Sequence, residues 1–280
     1  MNIARFKSGF TLIELLVVIS ILGLIAGLAV PAVKNLGKSN VQLSATRQLL
    51  DDVGRARQLA MTERTTVYMV FVPTNYWSSY YWVSPQAFPT TPDFTNLADK
   101  QLTGYTFVTL RSVGDQPGQG TTNYIGGWQS LPQGNFIPLW KFSPRTTVTN
   151  ITDIGTGQVL WSVPGFNRTT QNYIPFPDAK SPSAINLPYI AFNYLGQLTT
   201  EQLSPNPSMQ DEFIPLAQGS VSPALDPVTR AYQLGGAPGT TLFAPSVQEV
   251  PPNNSTGPSY SLIHIDWLTG RARQEHFQVK

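Results

Sequence analysis

One stretch limits what this chain can fold into more than any other. From Leu15 to Val33 there are 19 consecutive residues without a charge, and Ser20 is the most polar of them. As a helix rising 1.5 Å per residue, the run spans roughly 28 Å, close to the thickness of one bilayer core. A secretory signal has a shorter apolar region with a small-residue cleavage site after it. Here the only plausible processing site precedes the run, at Ser8-Gly9-Phe10. Cleavage after Gly9 would put Glu14 at the fifth position of the shortened chain, inside the apolar stretch. A carboxylate at that depth is costly unless it is paired. The same cleavage exposes an α-amine on Phe10, and that amine, on this copy or a neighbour, can neutralise Glu14. Met1 to Gly9 carries Arg5 and Lys7 and no acid, which predicts that this end stays cytoplasmic and the C-terminal part crosses. The competing account is a plain signal anchor with Glu14 near the membrane interface.

Gly9, Phe10, Thr11, Leu12, Ile13 and Glu14 resemble the class III signal of type IV pilins and type II secretion pseudopilins. In that family a prepilin peptidase cuts after the Gly and N-methylates the new first residue. The resemblance therefore implies a leader peptide over 1–9, cleavage between Gly9 and Phe10, methylation of Phe10 and an assembly role for Glu14. It also implies partners: the prepilin peptidase, other pilins or pseudopilins, an assembly platform protein and an ATPase. The location it implies is the bacterial inner membrane, single-pass with a periplasmic head, and then a pilus or pseudopilus.

The long N-terminal helix is expected over 10–64, transmembrane over 10–33 and amphipathic over 34–64. Gly23, Gly27 and Pro31 weaken its first half on paper, because glycine lowers helix propensity and proline removes a donor. In the pilin-like family the corresponding region resembles the part that loses helicity as subunits pack into a filament. Beyond it, Leu36, Leu43 and Leu50 recur every seven residues, with Thr46, Leu49, Val53, Ala56 and Ala60 in adjoining positions. That pattern predicts one modest apolar stripe laid against a globular head.

Composition changes at Val72. Of the 24 prolines, 23 lie beyond it, so the chain is helical before this point and turn-rich and β-leaning after it. Strands are expected at Thr65–Val72, Tyr105–Leu110 and Val159–Val163, weak strands at best over 111–158, and irregular chain over 166–188. Tyr189–Asn193 and Tyr194–Leu198 read as strand, tight turn, strand. Tyr260–Asp266, the turn Leu268-Thr269-Gly270 and Ala272–Val279 read as a closing hairpin. The region 200–259 lacks periodicity and reads as a long, partly mobile insertion. The junction Ala56–Val67, the Phe192-to-Gly196 turn and the Gly270-Arg271-Ala272-Arg273 ending resemble the GspH/FimT pseudopilin branch. The fold class expected is α+β: a long N-terminal helix packed on a mostly antiparallel β-sheet head over 65–280, pilin-like.

Catalysis finds little support. The chain has no cysteine and two histidines, His264 and His276, so a thiolate or zinc centre is not expected, and no cofactor or metal is. His264 and Asp266 share one strand face, which is better explained by surface polar pairing than by chemistry. Gly118-Gln119-Gly120 and Gly155-Thr156-Gly157 read as turns, since no helix pattern follows them. Tyr76, Trp77, Tyr80, Tyr81 and Trp82 form either a sugar- or surface-binding platform or, more simply, core. With a net charge of +2 and 12% charged residues, the chain has no broad nucleic-acid footprint. Arg271 and Arg273 are the local exception. The Gly-Arg-x-Arg turn resembles the DNA-binding element of FimT-type minor pilins, where two arginines would bind weakly and salt-sensitively. The expectation is a structural, non-enzymatic, minor subunit of a type II secretion pseudopilus or type IV pilus. The alternative is a minor pilin whose head binds DNA or a surface ligand.

Overall fold

The computed structural model describes residues 11–78, 95–112, 114–116, 120–153, 155–168, 174–181, 184–200, 206–233, 243–257 and 260–276, and for 28–40 and 276 the backbone alone. The leader, the Gly9–Phe10 bond and Tyr80 to Trp82 lie outside these residues. The chain divides into two compact units, Met1–Val41 and Gln42–Lys280, so the second part of the helix belongs to the head unit.

The helix α1 spans Leu12–Thr62. It passes through Gly23, Gly27 and Pro31 without a break. A Cβ at Gly23 or Gly27 would meet nothing within 4 Å, so neither glycine is demanded by packing. Among the described residues no helix is long and apolar enough to cross a membrane. Described side chains of the apolar run end at Gly27, short of the ~20 residues a span needs, so the span expected over 10–33 falls partly outside them.

In chain order the strands are β1 (Val67–Phe71), β2 (Gly104–Thr109), β3 (Asn123–Tyr124), β4 (Gln129–Ser130), β5 (Asn135–Phe136), β6 (Val148–Thr152), β7 (Val159–Pro164), β8 (Asn167–Arg168), β9 (Ile174–Pro175), β10 (Ala184–Ile185), β11 (Pro188–Phe192), β12 (Leu198–Thr199), β13 (Glu212–Ser222), β14 (Ser246–Glu249), β15 (Ser261–Ile265) and β16 (Ala272–His276). The first sheet has the order β12-β11-β1-β2-β3, with β4 also on β2 and β8 also on β11. The second has the order β14-β13-β15-β16, with β5 also on β13. The hairpins β6-β7 and β9-β10 stand apart, and every described strand pairing is antiparallel.

The inner faces of both sheets meet the helix in one core. Ala45, Leu49, Val53, Ala56 and Ala60 are buried with Met69, Phe107, Ile190 and Phe192 of the first sheet and Ile214, Leu216, Ile263 and Ile265 of the second. The buried stripe is thus built on small residues, which allow close approach of helix and sheet. The seven-residue leucines are not its centre: Leu50 is half-buried and Leu43 is 42% exposed, while the side chain of Leu36 lies outside the described residues. Polar bonds fix the helix. Gln48 Nε2 donates to Tyr105 Oη at 2.7 Å, and Tyr105 Oη donates to Asp52 Oδ2 at 2.5 Å. Burial first, and then that carboxylate, push the Tyr105 hydroxyl pKa upward.

β1 is buried along its whole length, as its unbroken apolar run suggests. Its other face is covered by a second cluster in which Tyr68 and Val70 join Tyr76, Trp77, Ile174, Phe176, Ile185 and Leu187. Tyr76 and Trp77 meet edge-on at 5.0 Å, so these two aromatics are core and not a platform.

The segment 200–259 contains regular structure among its described residues. It contributes β13, 11 residues long, which pairs with β5, β14 and β15. Pro215 within β13 hid it from a propensity reading.

Two turns from different sheets also meet. Leu198 N donates to Trp267 O at 2.9 Å. Gly270, at φ +61°, lies so close that a Cβ would sit 2.0 Å from Gly196 O. Arg57 Nε of α1 donates to Thr269 O at 2.7 Å, so the helix reaches the same junction.

Candidate functional site

The start of α1 is built by a short local code. Thr11 precedes the first helical residue, and its Oγ1 accepts from Glu14 N at 3.3 Å. Thr followed three residues later by Glu is the sequence pattern of a capping box, in which the N-cap side chain satisfies an orphan helix amide. A carboxylate in the first turn also sits favourably in the helix dipole. Glu14 therefore gains some compensation from its own helix before any partner arrives. Ser20, the most polar residue of the run, donates its hydroxyl to Leu16 O at 2.8 Å, hiding it on the backbone. The apolar side chains around them are bare: Leu12 is 83% exposed, and Ile13 and Leu24 are each 69% exposed. Contiguous apolar surface on this scale marks an interaction face.

Residues 4–30 match the family model of the prokaryotic N-terminal methylation motif. The chain carries the class III signal peptide of type IV pilin-like proteins. That motif supports a type IV pilin-like or pseudopilin precursor, and it implies processing by prepilin peptidase and assembly with other pilins. Comparison with curated proteins and with solved structures gives no match.

Within the pilin-like signal, Thr11 is the residue that sequence reasoning passed over as a cap, although the Thr-x-x-Glu spacing was there to find it. At the other end of the chain, the two arginines of the closing hairpin do not form a free pair. Arg271 lies just before β16 and is exposed. Arg273, in β16, donates from Nε to Glu275 Oε1 at 2.6 Å and lies with Nη2 3.0 Å from His264 Nδ1. Its side chain stays 65% exposed. His264 does not pair with Asp266 as a surface couple; its Nε2 lies 2.7 Å from Asp211 Oδ2. Asp266 instead accepts from the hydroxyl and amide of Thr269, each at 2.7 Å, and those bonds hold its carboxyl below the ordinary range. Burial alone would raise Glu275, but the bond donated by Arg273 helps to hold its pKa below the ordinary range.

The head also holds a buried charge cluster with no motif behind it. Lys141 is fully buried, with Nζ 2.5 Å from Glu212 Oε1, 2.8 Å from Pro164 O and 4.5 Å above the Phe166 ring. Arg145 Nη1 binds Glu212 Oε2 and Gly165 O. Among the described residues no group of three or more His, Cys, Asp or Glu is arranged to hold a metal.

Proposed function

We propose that this chain is a structural subunit, of the minor kind, of a type II secretion pseudopilus or a type IV pilus. The observation that carries the reading is the methylation motif over 4–30, whose acid stands in the first turn of α1 beside its threonine cap. The subunit waits in the inner membrane with its leader cytoplasmic and its head periplasmic. Cleavage after Gly9 frees the amine of Phe10, which is then methylated. As helices bundle, that amine neutralises Glu14 on the same or an adjacent copy, and the apolar run moves from lipid into the filament core. A platform protein and an ATPase drive the transfer. The reading assigns the head a pilin-like, non-catalytic role, and the size of 65–280 favours a minor over a shaft-forming subunit, because a bulky head packs badly in a repeat.

Gly9→Val tests the assignment directly. Intact mass of the variant, expressed with a prepilin peptidase, is expected to retain residues 1–9, whereas the wild type loses them and gains one methyl group on Phe10. Normal trimming of the variant removes the proposal.

A further inference from the structure

We propose that His264 is a protonation-controlled latch for Arg273, holding its guanidinium on the head when the ring is neutral and releasing it toward solvent when the ring is charged. The ring lies in β15, in register with Phe213 on β13 and with Arg273 on β16. It stacks on Phe213 at a centroid distance of 4.7 Å, and Trp161 of β7 lies 5.6 Å from each of these two rings. Only 6% of the residue is exposed, so water cannot readily replace lost partners.

The two ring nitrogens have opposite surroundings. Asp211 Oδ2, 2.7 Å from Nε2, can only accept while ionised, so Nε2 carries a proton. Arg273 Nη2, 3.0 Å from Nδ1, can only donate, so Nδ1 is bare in this arrangement. Glu275 Oε1 stands 3.3 Å from the same Nδ1 and is the acceptor that a proton there would choose. A second proton on the ring therefore reverses the role of Nδ1. It must turn from Arg273 to Glu275, and it also competes for the oxygen that now accepts Arg273 Nε at 2.6 Å. Arg273 loses one partner outright and shares the other, and its side chain is already 65% exposed.

Among the described residues, the charged groups facing the ring are Asp211 before β13, Asp266 after β15, and Arg273 and Glu275 on β16; Phe213 and Trp161 contribute no charge. Asp211 does not move with the switch, because its Oδ1 also accepts Trp267 N at 2.9 Å. Imidazole is the side chain whose ordinary charge change falls between about pH 5 and 8.

The chain has only two histidines, which makes the test tractable. The full-length chain with 15N-labelled histidine and arginine is titrated in detergent micelles from about pH 8 to pH 5, with His276→Gln used to assign the rings. At the upper end the neutral His264 ring is expected to carry its proton on Nε2, with the Arg273 side-chain N–H groups protected from exchange. At the lower end both ring nitrogens are protonated and Arg273 exchange is about tenfold faster, the scale of one lost hydrogen bond. Arg273→Ala should move the titration of His264 upward, since a donor that favours the neutral ring is gone. In His264→Gln the Arg273 exchange should lose its pH-dependent step. A neutral ring protonated on Nδ1, or an Arg273 step that survives in His264→Gln, overturns the latch. So does a titration of His264 unmoved by Arg273→Ala.

Discussion

Replacing Glu212 with glutamine is the most informative single change in the head. Its side chain is 3% exposed and accepts from Lys141, which is 0% exposed, and from Arg145, which is 22% exposed. In Glu212→Gln the Lys141 ammonium keeps only the Pro164 carbonyl, the face of Phe166 and a neutral amide oxygen. Breaking a buried pair from one side costs about 3–5 kcal/mol, because the remaining charge has been removed from water without compensation. Arg145 can turn toward solvent, which places the expected loss near the lower end, about 3 kcal/mol. For a domain of this size each kcal/mol moves Tm by about 2–4 °C, so a drop of about 6–12 °C is expected. Melting followed by circular dichroism at neutral pH reads it. Lys141→Met in the same background removes the orphaned charge and leaves an apolar chain against Phe166. The double variant should therefore recover about 1.5 kcal/mol or more relative to the sum of the singles, the size expected of groups in direct contact. A single-variant shift below about 2 °C, or strict additivity, refutes the argument. The pH sign follows from the same cluster. Burial would raise Glu212, but Lys141 and Arg145 lower its pKa in the folded state. Its contribution is thus present above the ordinary glutamate value of about 4.3 and is lost as pH falls through the folded value. Wild-type Tm should fall below that point more steeply than that of Glu212→Gln.

The glycines separate steric demand from open space. Gly270→Ala meets Gly196 O at 2.0 Å from a positive φ and should cost at least about 2 kcal/mol, read by denaturant unfolding. Gly54→Ala, with nothing within 4 Å of its Cβ, should stabilise the head by about 1 kcal/mol on helix propensity. Glu14→Ala should still be cleaved after Gly9 but enter filaments poorly, scored by the sheared filament fraction; normal incorporation counts against its role. Thr11→Val removes the side-chain acceptor of Glu14 N and should destabilise the first turn by about 1 kcal/mol, seen as faster amide exchange at Glu14.

Signals that depend on neighbours in sequence were legible from the residues. The Thr-x-x-Glu start of α1, the apolar β1, the turn at Gly196 and the closing hairpin each state their structure within a few positions. The buried helix face was read only in part. Leucines at seven-residue spacing dominate the local pattern, but Ala45, Ala56 and Ala60 lie in the core, and small side chains advertise little hydrophobicity. Tyr76 and Trp77 could equally have lain on the surface until Phe176 and its neighbours were seen to cover them.

The chain's own order of residues determined where the signal stands, where the helix begins and which strands close the head, because capping, turn geometry and hydrophobic runs act over a handful of positions. Tertiary structure alone decided that β13 lies beside β5, β14 and β15, that Lys141 meets Glu212 across 71 positions, and that Asp211 and Arg273 converge on His264. Those pairings join groups far apart along the chain. Their strength comes from burial and from the absence of competing water, and neither exists until the sheets have assembled around the helix.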